Sequence, residues 1–173
     1  MKNIVLLYWP KGGNVENSAK KIFAQFNPND IEMYDVESFD VDTLEDYKTI
    51  IMGSSTVGAE NWIDAANDNL WNRFFRKIEE HDLSGHNIAV FGLGDQILYP
   101  AHFVDVLGIL NQEVVKVNGT LIGKWPTKNY SFTDSEGVEG DYFYGLALDE
   151  DNESDITDQR VAQWVGQIKS EIK

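Results

Sequence analysis

Four short, almost unbroken apolar runs pace the chain: "KNIVLLY" (Lys2–Tyr8), "YKTIIMGS" (Tyr47–Ser54), "HNIAVFGLG" (His86–Gly94) and "FYGLAL" (Phe143–Leu148). A strand that is apolar on both faces has no surface to give to water. Such strands are stable in a parallel sheet covered on both sides. The segments between them carry helical periodicity, and this alternation predicts an α/β doubly wound architecture.

The intervening elements follow from the same reading. Asn14 is placed to cap a helix running to about Phe26, with Ala19, Ile22, Phe23 and Phe26 on one face. Pro28 and Asn29 end it. "IEMYDV" (Ile31–Val36) is the second strand. Helices are expected over Asn69–Glu80, Ala101–Glu113 and Thr157–Ile172, the last with Val161, Trp164, Val165 and Ile168 on one stripe. "VVKVNGTLIG" (Val114–Gly123) is read as the start of a fifth strand, with Phe143–Leu148 as its continuation. The chain shows no internal repeat and no linker, so residues 1–173 are expected to form one domain.

Composition narrows the function. The absence of cysteine excludes disulfides, thiolate metal sites and thiol redox chemistry, so redox work would need a bound cofactor. His81, His86 and His102 have no ligand spacing, and no metal site or covalent catalytic set is expected. The net charge is −15, and Asn129–Gln159 contains no Lys or Arg. Nucleic acid is therefore not an expected partner, since little here neutralises phosphates. The plain reading of the charge is solubility; the sharper one is steering toward basic proteins. No apolar run approaches a membrane span, and the apolar start is too short for a signal-peptide core, so the cytoplasm is expected.

Ligands of doubly wound sheets bind beyond the carboxyl ends of the strands, where strand order reverses. Three loops leave those ends: "WPKGGN" after strand one, "SSTVGAENW" after strand three and "GLGDQILY" after strand four.

The third loop lies in "FGLGDQILYPAHFVDVLGIL" (Phe91–Leu110), which resembles the long-chain flavodoxins. "GKWPTKNYSF" (Gly123–Phe132) looks like that family's inserted loop, and "FYGLALDEDNESDITDQRVAQWVGQIKSEI" (Phe143–Ile172) like its C-terminal signature. The resemblance spans nearly the whole chain. It implies a five-stranded parallel sheet of order 2-1-3-4-5 with helices on both faces. It also implies bound FMN and single-electron transfer at low potential between redox proteins, rather than an enzyme with its own substrate. The implied partners are basic redox proteins such as a flavodoxin reductase, met by a monomer.

Residue roles follow from the resemblance loop by loop. In the third loop, Leu93 and Gly94 lead to Asp95 near the flavin's pyrimidine edge and to Tyr99 stacked on the isoalloxazine ring. A tyrosine ring covers a flat face well and sheds water, and it disfavours a reduced, anionic flavin. The plain alternatives are a surface aromatic at Tyr99 and a helix cap at Asp95. The second loop has Ser55, Thr56 and Val57 where the family has Pro-Thr-Trp, so either Val57 or Trp62 is left to cover the other flavin face. Gly58 suits a peptide that flips near the flavin N5, or simply a turn.

The first loop departs most. Pro10, Lys11, Gly12, Gly13, Asn14 and Val15 stand where the family has roughly Thr-x-Thr-Gly-x-Thr. The hydroxyls are gone, and Pro10 has no N–H. What remains for a phosphate is the main chain of Lys11–Val15 at a helix N-terminus, the Asn14 amide and the Lys11 charge. The competing expectation is a flavodoxin-fold interaction module that has lost or altered FMN binding. The acidic run Asp149–Asp155 is read as a solvated loop, lacking a calcium-site pattern.

Overall fold

The computed structural model describes residues 3–55 and 69–172. The elements are β1 (Ile4–Tyr8), α1 (Asn14–Phe23), β2 (Ile31–Asp35), β3 (Thr49–Ser54), α2 (Leu70–Ile78), β4 (Asn87–Leu93), α3 (Val106–Lys116), β5 (Thr120–Ile122), β6 (Trp125–Pro126), β7 (Val138–Glu139), β8 (Tyr142–Phe143), β9 (Leu146–Leu148) and α4 (Thr157–Glu171). Two 3-10 turns, Val41–Asp46 and Ser154–Ile156, complete the described elements.

The main sheet runs β2-β1-β3-β4-β5, and every pairing in it is parallel. The apolar runs explain the order of burial: β1 and β3 are buried along their full length, whereas edge strand β2 is mostly half-buried. The chain moves one way from β1 to β2 and the other way from β1 through β3 to β5. Right-handed crossovers then put α1 on one face and α2 and α3 on the other. α4 returns to the α1 face, where Lys21 meets Asp158 at 2.6 Å and the Lys169 ammonium donates to the Gln25 carbonyl at 2.6 Å. On the opposite face, Lys116 on α3 bonds Glu79 at the end of α2 at 2.9 Å.

The fifth strand is made in two pieces. Thr120–Ile122 pairs with Asn87–Ala89, and Leu146–Leu148 pairs with Phe91–Leu93, both parallel. Residues 123–145 form an excursion between them, with a small antiparallel sheet β6-β8-β7.

Several boundaries differ from the sequence reading, each for a local reason. The run expected to open strand five at Val114 belongs to α3 as far as Lys116. The helix ends in a Schellman cap: Asn118 takes φ 58°, its N–H donates to Val115 O, and the Gly119 N–H donates to Val114 O at 2.9 Å. β-branched Val114 and Val115 suggested a strand, but the helical face keeps Val114 and Val117 buried and leaves Val115 exposed. α3 starts at Val106 rather than Ala101, because Val104 sits at φ 49° and interrupts helical geometry. α1 stops at Phe23, and its last turn tightens through Gln25 N–H to Ile22 O and Phe26 N–H to Phe23 O. Asn14 is the first helical residue rather than the cap; Gly13 holds the cap position with no side-chain bond.

Candidate functional site

β1, β3 and β4 end at one sheet edge, with Tyr8 beside Gly53 and Gly53 beside Phe91. The three predicted loops leave from this edge, at the point where strand order reverses. Of the second loop, Ser55 is described and half-buried; Thr56, Val57, Gly58 and Trp62 lie outside the described residues. Just before it, the buried Ser54 hydroxyl accepts from Trp71 Nε1 at 3.1 Å. Gly53 is required by packing, since a Cβ there would lie 2.0 Å from the Phe91 ring.

The first loop is exposed from Pro10 to Asn14 and turns through Gly12 at φ 80°. Cβ atoms built on Gly12 and Gly13 would meet nothing within 4 Å. Gly13 has an extended φ of −150°, so neither its backbone nor its packing demands glycine. The opening above these two residues suits a ligand approaching the main chain closely. The first helical bond runs from Asn17 N–H to Gly13 O, and the N–H groups before it have no partner within the helix. Together with the positive end of the α1 dipole, such N–H groups are the kind of donors that an anion can use. Val15 is buried in the core and turns no polar group to the loop.

The charges around this loop are mixed. Lys11 Nζ lies 2.8 Å from Glu37 Oε2 and 3.6 Å from Asp35 Oδ1, and 5.3 Å from the Trp9 ring centroid. The bond to Glu37 is the first cause holding the Lys11 ammonium above its ordinary pKa, and burial opposes it. The Gly12 N–H donates to Glu16 Oε2 at 2.6 Å, and Glu16 Oε1 meets Lys20 Nζ at 2.6 Å.

The third loop is a built structure. Leu93 is buried, and the Gly94 N–H donates to Leu148 O at 3.0 Å. Asp95 Oδ1 accepts from Ile97 N–H at 2.9 Å, Leu98 N–H at 2.8 Å and Asn152 Nδ2 at 2.9 Å. The Leu98 N–H, then the Asn152 amide and the Ile97 N–H, hold its carboxyl below the usual aspartate value against a smaller burial effect. This turn presents Ile97, Leu98 and Tyr99 outward, with Tyr99 62% exposed. Asp95 thus organises its own loop rather than capping α3, whose preceding residue is Asp105.

The sequence reading missed Gln96, Asp149 and Asn152. Gln96 is buried; its N–H and Nε2 both donate to Asp149 Oδ2, and its Oε1 accepts from Ser131 N–H. Asp149 was expected in a solvated loop, yet it is fully buried and also accepts from Asn152 N–H and Nδ2. The available signal was its place directly after the apolar strand Leu146–Leu148, at the same carboxyl edge. The excursion supports the loop from below. Phe103, Tyr130, Phe132 and Phe143 form an aromatic cluster, and the Tyr130 hydroxyl donates to Ala147 O at 2.6 Å.

The fold and this edge define a doubly wound α/β protein with a ligand site at its strand switch point, the architecture of small nucleotide- and flavin-binding proteins. A profile of the family described as Flavodoxin matches residues 6–164. A flavodoxin of Nostoc sp. is 37% identical over 171 residues, covering 99% of this chain and 98% of that protein. Flavodoxin 1 of Escherichia coli is 36% identical, covering 92% of this chain and 89% of its own length. The crystal structure of Fusobacterium nucleatum flavodoxin bound to flavin mononucleotide superposes with a TM-score of 0.85 at 27% identity, over the full length of both chains. The chain belongs to the flavodoxin family, whose members are electron-transfer proteins rather than enzymes.

Proposed function

We propose that this chain binds FMN at the β1–β3–β4 edge and carries single electrons at low potential between redox proteins. The observation that carries the reading is the α1 N-terminus, open above Gly12 and Gly13, on the same edge as the buttressed turn that presents Tyr99. The residues fit the cofactor. Main-chain N–H groups at Lys11–Val15 and the Asn14 amide would hold the phosphate. Leu93, Gly94 and Asp95 would line the pyrimidine edge, and Tyr99 would stack on the ring. Ser55 and the segment containing Thr56, Val57, Gly58 and Trp62 would close the other side. When bound, FMN supplies the one-electron chemistry. The protein's part is to orient the ring, exclude water from its faces and surround it with negative charge, which disfavours further reduction.

The net charge of −15 suits basic partners, and the carrier is read as a cytoplasmic monomer. Exposed charges are screened beyond roughly 10 Å at 0.1 M salt, so reduction by a basic flavin reductase should slow as salt rises. A flat salt profile would leave the charge as solubility alone.

A second reading, a flavodoxin-fold interaction module with lost or altered FMN binding, is favoured by one observation: both Lys11 and the Gly12 N–H already have carboxylate partners. Purification separates the two. A yellow protein that releases FMN on denaturation, or an apoprotein that takes up FMN, supports the carrier. A colourless protein that takes up none supports the module.

A further inference from the structure

The phosphate end of the proposed FMN site already holds an anion of the chain's own. Glu16 stands in the first turn of α1, and its carboxylate reaches back to the Gly12 N–H at 2.6 Å. Lys20, one helical turn on, grips the other carboxylate oxygen at 2.6 Å. The neighbouring cation Lys11 is engaged by Glu37 and Asp35. The Gly12 amide is one of the donors an incoming phosphate would use, and a single N–H cannot serve two anionic oxygens at full strength. A carboxylate and a phosphate crowded onto one amide also repel each other.

Resting on the FMN reading, we propose that Glu16 is an intramolecular competitor for the phosphate. Its carboxylate must leave the Gly12 N–H for that donor to reach the ligand, and Lys20 retains it when it leaves. Glu16 therefore sets how much of the flavin's affinity comes from its phosphate, and the riboflavin moiety is indifferent to it.

The test titrates apoprotein with FMN and with riboflavin by flavin fluorescence quenching, in the native chain, Glu16→Gln and Glu16→Ala. Riboflavin affinity should be the same in all three, which also reports that the ring site is intact. FMN affinity should rise about tenfold in Glu16→Ala, the scale of one recovered charged hydrogen bond, and less in Glu16→Gln, which keeps an acceptor. In amide NMR spectra of the native chain, the Gly12 resonance should move on adding FMN and stay in place on adding riboflavin. Inorganic phosphate is a second probe: it should shift the Gly12 amide at lower concentration in Glu16→Ala than in the native chain. Equal changes for both flavins, no change, or a phosphate response independent of Glu16 would overturn the proposal. If neither flavin binds any variant, the FMN reading falls, and the phosphate titration alone then decides whether Glu16 guards this loop.

Discussion

Gln96 and Asp149, 53 residues apart, are joined twice: the Gln96 N–H and its side-chain amide both donate to Asp149 Oδ2, at 3.2 and 2.9 Å. Both residues are buried, so neither donor has water as an alternative. The pair fixes the third loop to the turn after β9. Asp149→Ala should destabilise the protein by at least about 2–3 kcal/mol, because orphaned buried donors cost about 1–3 kcal/mol each. Asp149→Asn, which keeps one carbonyl acceptor, should lose less. Urea unfolding of the two variants measures the difference, and equal losses would mean that volume rather than hydrogen bonding matters there.

Gly94 is close-packed on backbone. A Cβ there would sit 2.9 Å from the Val104 nitrogen and 3.0 Å from the Phe103 ring. Val104 itself takes φ 49°, a costly conformation for a β-branched residue, so it has little freedom to retreat. Gly94→Ala should therefore lower stability by about 1–3 kcal/mol. Thermal unfolding checks this, and a variant as stable as the native chain would show that the Val104 segment yields easily.

Tyr99 has the opposite profile. At 62% exposed it contributes little to the core, so Tyr99→Ala should leave unfolding within about 0.5 kcal/mol of the native value. On the FMN reading it should weaken FMN binding and raise the potential of the second, more negative reduction step. Flavin titration and spectroelectrochemistry read both. Unchanged values would remove Tyr99 from the flavin face.

Acid should loosen the third loop. The Asp95 carboxyl is depressed below its ordinary value of 3.8 by the Leu98 N–H, the Asn152 amide and the Ile97 N–H. A depressed acid stabilises the fold fully above its unfolded pKa, and that contribution is lost as pH falls through the folded value. Below about pH 4, native stability should decline more steeply than that of Asp95→Asn. Parallel pH profiles would mean that the turn holds without the charge.

The central strands β1, β3 and β4 were legible because they are apolar on both faces, a pattern that surface elements do not share. "VVKVNG" misled because β-branched residues favour strands, while the partners that hold it on a helix, Glu79 through Lys116 and the core through Val114, come from elsewhere in the chain. The glycines and helix start of the first loop were readable, but the acids around Lys11 were not read from it. They were implicit in strand order: β2 lies beside β1 with Asp35 opposite Tyr8, which brings Asp35 and Glu37 to the loop that follows. Asp149 was hidden by its company, one buried acid at the head of a run whose other acids are exposed or half-buried.

The split fifth strand has a consequence for how this chain can be rebuilt. Ile122 pairs with Ala89 and Leu146 with Phe91, so on β4 the two halves are separated by Val90 alone. Gly145 stands at that gap, its α-carbon too near the Val90 carbonyl to carry a side chain. Splicing Ile122 to Gly145 would keep both halves in register and yield one continuous strand. The sheet is thus indifferent to the length of the excursion. Residues 123–145 are anchored on two sides: to the third loop through the Gln96–Ser131 bond and the Phe103 aromatic cluster, and to α4 through Trp164 Nε1 to Gly123 O and Gln167 Nε2 to Lys124 O, so a shortened chain would keep its sheet and lose the contacts that brace the third loop.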